Sequence, residues 1–200
     1  MNNTDLMQPL LSVAAHAVIY ASHGLQPLVI RPDGKQPLVS GWQTSSLDQI
    51  INVIESNPNA NIGIAVPLGM LVLDVDTKSH GPETVESLTA INGPLPLTLS
   101  ATTATNGKHF WFRLPPNVEV KNLVGIAKGL DVRTNGGYVV TQPSSIKGKS
   151  YKWDNWDCGT SPMIAEVPDW LLDLIRQPPP RSEIESREGG LIIPEGMRNH

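Results

Sequence analysis

Cysteine is nearly missing from this chain: Cys158 is the single thiol in 200 residues. One thiol makes neither an internal disulfide nor a CxxC zinc site, so the expectation is a reducing compartment and no zinc. A long apolar run is missing too. Leu10 to Tyr20 is too short to span a bilayer and contains His16, and Met1-Asn2-Asn3-Thr4-Asp5 lacks the basic start of a signal peptide. These gaps predict a soluble cytoplasmic protein with no membrane partner. Net positive charge is also lacking: 15 Lys and Arg stand against 19 Asp and Glu, a formal charge of −4. A generally basic nucleic-acid protein is therefore disfavoured.

Distribution matters more than the sum. From Lys108 to Lys152 the cations are Lys108, Arg113, Lys121, Lys128, Arg133, Lys147, Lys149 and Lys152, with Glu119 and Asp131 as the only acids. On charge alone, that stretch suits a phosphate backbone and a solvated basic face equally well.

The chain has the length of one ordinary domain. Thr4 can cap a helix over about 8–22, and Ser46 with Gln49 forms a capping box for a second carrying Leu47, Ile50, Ile51 and Ile54. His16 and His23 are read as structural or surface residues. Pro27 to Ile30 is a short strand, followed by a turn-rich loop, Arg31 to Trp42. In that loop Lys35 can reach phosphate. Trp42 is either a base contact or, as the pattern favours, a lid on the core. Asn61 to Val66 predicts a strand that forms a hairpin with the next run, and Gly81-Pro82 opens a helix to about Ile91. Further strands are expected at 97–103, 109–114, 129–133, 138–140 and 150–153. A last helix covers 169–176, and Pro178-Pro179-Pro180 is a stiff spacer.

The run Leu71-Val72-Leu73-Asp74-Val75-Asp76 organises the rest. Alternation sends Leu71, Leu73 and Val75 to one face and Val72, Asp74 and Asp76 to the other, which puts the two carboxylates roughly 7 Å apart at the backbone. Such neighbours resist burial unless a cation or donor neutralises them, and a divalent metal is the simplest partner. The strand at 109–114 places His109, Trp111 and Arg113 on one face, and the strand at 129–133 turns Asp131 and Arg133 outward together. If these strands adjoin, three carboxylates, one imidazole and two guanidiniums share a surface. Hard cations take carboxylate oxygens and leave positions open for phosphates, while His and Arg donate to anionic oxygens. The bland alternative is three unrelated ion pairs on an antiparallel sheet.

The chain resembles the bifunctional DNA primase/polymerase (Prim-Pol) domain of the archaeo-eukaryotic primase superfamily, found at the front of plasmid, phage and integrated-element replication proteins. Lys35-Gln36-Pro37 with Gly41-Trp42, Ala60 to Ile64, and Leu71 to Asp76 carry the likeness. So do Thr105-Asn106-Gly107-Lys108-His109 with Phe112-Arg113, and Gly129 to Arg133 with Gly136 to Val140 and Pro143-Ser144. The resemblance implies a primase-polymerase fold of class α/β (α+β). In it an N-terminal α/β unit packs on an RRM-like unit, with the active-site cleft between them. It implies that Asp74, Asp76 and Asp131 bind two Mg²⁺ or Mn²⁺ ions and that His109 contacts the incoming nucleotide's phosphates. Where the family commonly has Ser-Gly-Gly, this chain has Thr105-Asn106-Gly107, so Thr105 keeps the hydroxyl. Lys108, Arg113 and Arg133 join the phosphate-binding candidates from strand geometry and charge, and Lys35 from its loop. Some relatives carry a zinc stem, which one cysteine does not show.

The implied activity is template-directed nucleotidyl transfer, with single-stranded DNA template, primer and NTP or dNTP as partners. Residues 1–177 would form the catalytic domain. Residues 178–200 would be a linker and the start of a truncated following segment, because Glu195 to Asn199 resembles the opening of a helical part that precedes a fused or associated helicase. Two other classes compete. A metal-dependent nuclease would use the same acids with water as nucleophile. A non-catalytic single-strand or origin binder would use the basic stretch with Trp111, Tyr151 and Trp153 as stacking platforms, although aromatics of this kind are more often core.

Overall fold

Two large sheets and one two-stranded hairpin sheet, with four helices, organise the computed structural model, which describes residues 11–177. The cap at Thr4, the helix start at Gln8 and the linker and following segment at 178–200 lie outside the described residues. In chain order the elements begin with α1 (Val13–Ser22), β1 (Pro27–Ile30), α2 (Leu47–Ser56), β2 (Asn61–Ala65), β3 (Met70–Val75) and α3 (Gly81–Asn92). Next come β4 (Ser100–Thr102), β5 (Lys108–Arg113), β6 (Leu123–Ala127), β7 (Leu130–Thr134) and β8 (Tyr138–Val140). The short strands β9 (Ser145–Ile146), β10 (Lys149–Ser150), β11 (Lys152–Trp153) and β12 (Ala165–Glu166) precede α4 (Asp169–Arg176). The helix starts follow local chemistry. Ser12 Oγ accepts from Ala15 N–H at the front of α1, and the Ser46/Gln49 capping box closes reciprocally at 3.3 and 2.9 Å.

A three-stranded sheet runs β1-β2-β8. A seven-stranded one runs β11-β4-β5-β3-β7-β6, with β12 joined to β5. Pairing is antiparallel throughout both except for β12 on β5. The fold class is therefore mixed, α+β, as the sequence predicts.

One expectation fails. β2 and β3 do not form a hairpin. Each is a central strand with both hydrogen-bonding edges occupied, β2 by β1 and β8, β3 by β5 and β7. The turn at Pro67–Met70, with Gly69 at φ 77°, passes the chain from one sheet to the other. Burial explains the preference. Val72 packs in a core with Trp111 and the α1–α2 side chains, while Leu71, Leu73 and Val75 pack with Phe112, Leu130 and Leu171 on the opposite face. A strand apolar on both faces belongs in the middle of a covered sheet, where each buried Leu or Val contributes about 1.5–3 kcal/mol. Among the described residues no helix is long and apolar enough to cross a membrane.

Candidate active site

Central placement of β3 sets the site. Asp74 stands in register with His109 on β5 and with Asp131 on β7, so an imidazole and two carboxylates form a row across three adjacent strands. Neighbouring strands lie roughly 5 Å apart, within reach of a shared ligand. His109 is buried, and its Nε2 lies 3.5 Å from Asp74 Oδ1. Burial is the largest influence on the Asp74 carboxyl and by itself raises its pKa. The His109 hydrogen bond and the charges of His109, Arg133 and Lys35 together outweigh that, holding the group below the ordinary carboxylate value. Asp74 is thus an anion in a half-buried place.

Asp76 lies one residue past the end of β3. Its backbone N–H donates to Gly129 O at 2.9 Å, and its carboxylate caps a single 3₁₀ turn, Oδ1 accepting from Lys78 N–H at 2.9 Å. Gly129 has φ 71° and would press a Cβ to 2.5 Å from Gly81 N, so only glycine brings the β6–β7 turn this close. On β7, Asp131 Oδ1 accepts from Gly125 N–H and Oδ2 from Arg133 Nη2, both at 2.9 Å.

These groups line a cavity of about 410 Å³: Asp74, Asp76, His109 and Asp131 with Lys35, Thr105 and Arg133 from the sequence-based candidates. Larger hollows of about 520 and 810 Å³ lie beside Trp42 and between α1 and the 150–158 segment, without this concentration of charge. Two candidates are not brought in. Arg113 is exposed and pairs with Met70, four positions along β3 from Asp74 or about 13 Å away. Lys108 points to the opposite face from His109 and donates to Asp154 at 3.0 Å and Thr102 at 2.8 Å. Distance along β5 decides the first, since Arg113 shares the His109 face, and alternation decides the second.

The donor set suits a hard divalent cation, being three carboxylates facing one hollow. Their oxygens are engaged elsewhere here: Asp131 by Arg133 and Gly125, Asp76 by its cap, and Asp74 by His109. Among the described residues no three His, Cys, Asp or Glu groups are gathered as a ready cation site. Each Asp131 oxygen accepts a single hydrogen bond, which leaves lone pairs for an ion.

A family model described as bifunctional DNA primase/polymerase, N-terminal (Prim-Pol), matches residues 17–170. This span runs from α1 into α4 and includes every residue of the cavity. The chain belongs to the Prim-Pol family. The family is one of DNA primase/polymerases, enzymes of the nucleotidyltransferase type. No curated protein matches the sequence.

The Prim-Pol loop Thr105-Asn106-Gly107 is accommodated locally. Asn106 takes φ 61°, a left-handed conformation that Asn tolerates, and a Cβ on Gly107 would collide with Val75 O. Thr77 Oγ1 donates to Thr105 O at 2.7 Å, which ties this loop to the end of β3.

The stacking-platform reading does not hold for this Prim-Pol domain. Trp111 is 0 %, Tyr151 2 % and Trp153 8 % exposed, so none offers a face to a base. Their rings fill the cores between the helices and sheets. Tyr151 has a local part instead. Its ring lies 6.2 Å from that of His109, and burial followed by the Asp74 charge pushes its phenol up to about 12. Trp42 is buried against Tyr138, as a lid on the core.

Sequence reasoning missed Gly125, whose N–H holds Asp131, and Tyr138, whose hydroxyl donates to Lys35 O at 3.1 Å. Gly125 falls between the strands expected at 109–114 and 129–133, in a segment that proves to be a bulged strand with φ 68° at this residue. Nothing in the sequence signals the Tyr138 contact, which spans 103 positions.

Proposed function

We propose that this domain is a template-directed nucleotidyltransferase, a DNA primase, a DNA polymerase or both, serving a plasmid, phage or integrated-element replication protein. The in-register row His109–Asp74–Asp131, on the floor of a cavity that also receives Lys35 and Arg133, carries the reading. In the reaction a 3′-hydroxyl oxygen bonds to the α-phosphorus of a nucleoside triphosphate. The α–β phosphoanhydride bond breaks, pyrophosphate leaves, and the hydroxyl proton passes to water.

Asp74, Asp76 and Asp131 would hold two Mg²⁺ or Mn²⁺ ions, which when bound supply Lewis acidity to the hydroxyl and the triphosphate. The protein's own groups do the rest. Lys35 and Arg133 donate to phosphate oxygens and offset their charge. His109, fixed between Asp74 and the Tyr151 ring, offers a donor at a constant place, and Thr105 adds a hydroxyl at the rim. Preorganised donors of this kind act without reorganisation as charge develops. Template and primer are single-stranded DNA and its annealed strand, and a helicase segment would follow in the same or an associated chain.

The test is extension of a primed template with labelled nucleotides and Mg²⁺ or Mn²⁺. Asp74→Ala with Asp76→Ala should abolish synthesis by a natively folded protein, its fold checked by circular dichroism. Wild-type-like synthesis by that variant would remove the assignment.

A further inference from the structure

The cation-rich stretch is divided by the fold. Lys108 is paired with Asp154 and Arg133 with Asp131, so neither offers its charge to a strand on the surface. Lys147 and Lys149 are different. They flank the tip of the β9–β10 hairpin, with Gly148 at φ 74° between them, and both are exposed. Among the described residues neither ammonium pairs with a carboxylate.

The hairpin is fastened to the loop that delivers Lys35. Lys147 N–H donates to Asp33 Oδ1. The Asn61 side chain clasps Ser145, its Nδ2 donating to Ser145 O at 2.9 Å and its Oδ1 accepting from Ser145 N–H at 3.0 Å, and Nδ2 also reaches Gly34 O at 3.5 Å. Tyr138 holds the loop at Lys35 O. Hairpin and loop are therefore one surface, bearing Arg31, Lys35, Lys147 and Lys149. Asp33 is the acid among them, with Oδ1 bonded to the Lys147 backbone, so four cations stand against one carboxylate. Lys35 is also part of the cavity lining, so this basic surface begins where the cavity ends.

We propose that the β9–β10 hairpin, through Lys147 and Lys149, holds the phosphate backbone of the single-stranded DNA template beside the active site. This rests on the nucleotidyltransferase reading. The hairpin tip is narrow, exposed and cationic, and it sits on the flank from which Lys35 enters. A flexible polyanion is the ligand such a track fits, since it needs no base pocket and each ammonium displaces a condensed counterion.

The test measures binding of an oligodeoxythymidine by fluorescence anisotropy across a salt series, alongside nucleotide incorporation on a primed template. Lys147→Ala with Lys149→Ala should lower the slope of log affinity against log salt by about 1.4, and weaken binding about tenfold at low salt. The nucleotide KM should not change. Lys121→Ala with Arg176→Ala removes the same charge elsewhere and should leave the slope at the wild-type value. Equal slopes for wild type and the hairpin variant, or equal losses in the two variants, would overturn the proposal. Failure of wild type to incorporate nucleotides would instead overturn the reading beneath it, while a hairpin-dependent slope would still establish the DNA track.

Discussion

Arg133 closes on Asp131 from two positions further along the same strand, with Nη2 at 2.9 Å from Oδ2. The same guanidinium helps hold the Asp74 carboxyl below its ordinary pKa from the neighbouring strand. One cation thus serves two carboxylates in a cavity read as the seat of a triphosphate. Arg133→Ala should raise the nucleotide KM about tenfold, the scale of one charge-assisted hydrogen bond, with a smaller change in kcat. Arg133→Lys should recover part of this, since it keeps the charge and loses the planar fork. An unchanged KM with lowered thermal stability would reduce Arg133 to a counter-ion of Asp131.

Tyr138 should act on the nucleotide through Lys35. Tyr138→Phe deletes the hydroxyl bond to Lys35 O but keeps the edge-on packing against Trp42 at 5.5 Å between ring centroids. We expect a stability loss of about 1 kcal/mol or less and a rise of about threefold in nucleotide KM. In a double-mutant cycle with Lys35→Ala the second effect should vanish, because the hydroxyl has then nothing left to position. Full additivity would show that Tyr138 works elsewhere.

Asp154 gives a prediction for acid stability away from the cavity. Burial is the largest influence on it and raises its pKa, but hydrogen bonds from Thr102, Lys108 and Ser100 and the Lys108 charge hold it below the ordinary value. The folded pKa is the lower one, so the contribution to stability is complete above the unfolded value near 4 and is lost as pH falls through the folded value. Asp154 is exposed and screened by solvent, so Asp154→Asn should cost about 1 kcal/mol or less at pH 7, and the gap to wild type in chemical denaturation should shrink below pH 4. A gap independent of pH from 7 to 3 would contradict this.

What the sequence determined by itself is local. Alternation along Leu71–Val75, Lys108–Arg113 and Leu130–Thr134 already separates apolar from chemical faces, and the Ser46/Gln49 box already starts a helix, because period and capping act over a few residues. Tertiary structure alone decided which strands adjoin. It set β3 between β5 and β7 instead of against β2, because a strand apolar on both faces gains most from the centre of a covered sheet. That one choice put Asp74 in register with Asp131 and His109. It also left Arg113 at the other end of the same strand and turned Lys108 to Asp154, and it buried the aromatics that local pattern could not tell from an exposed platform.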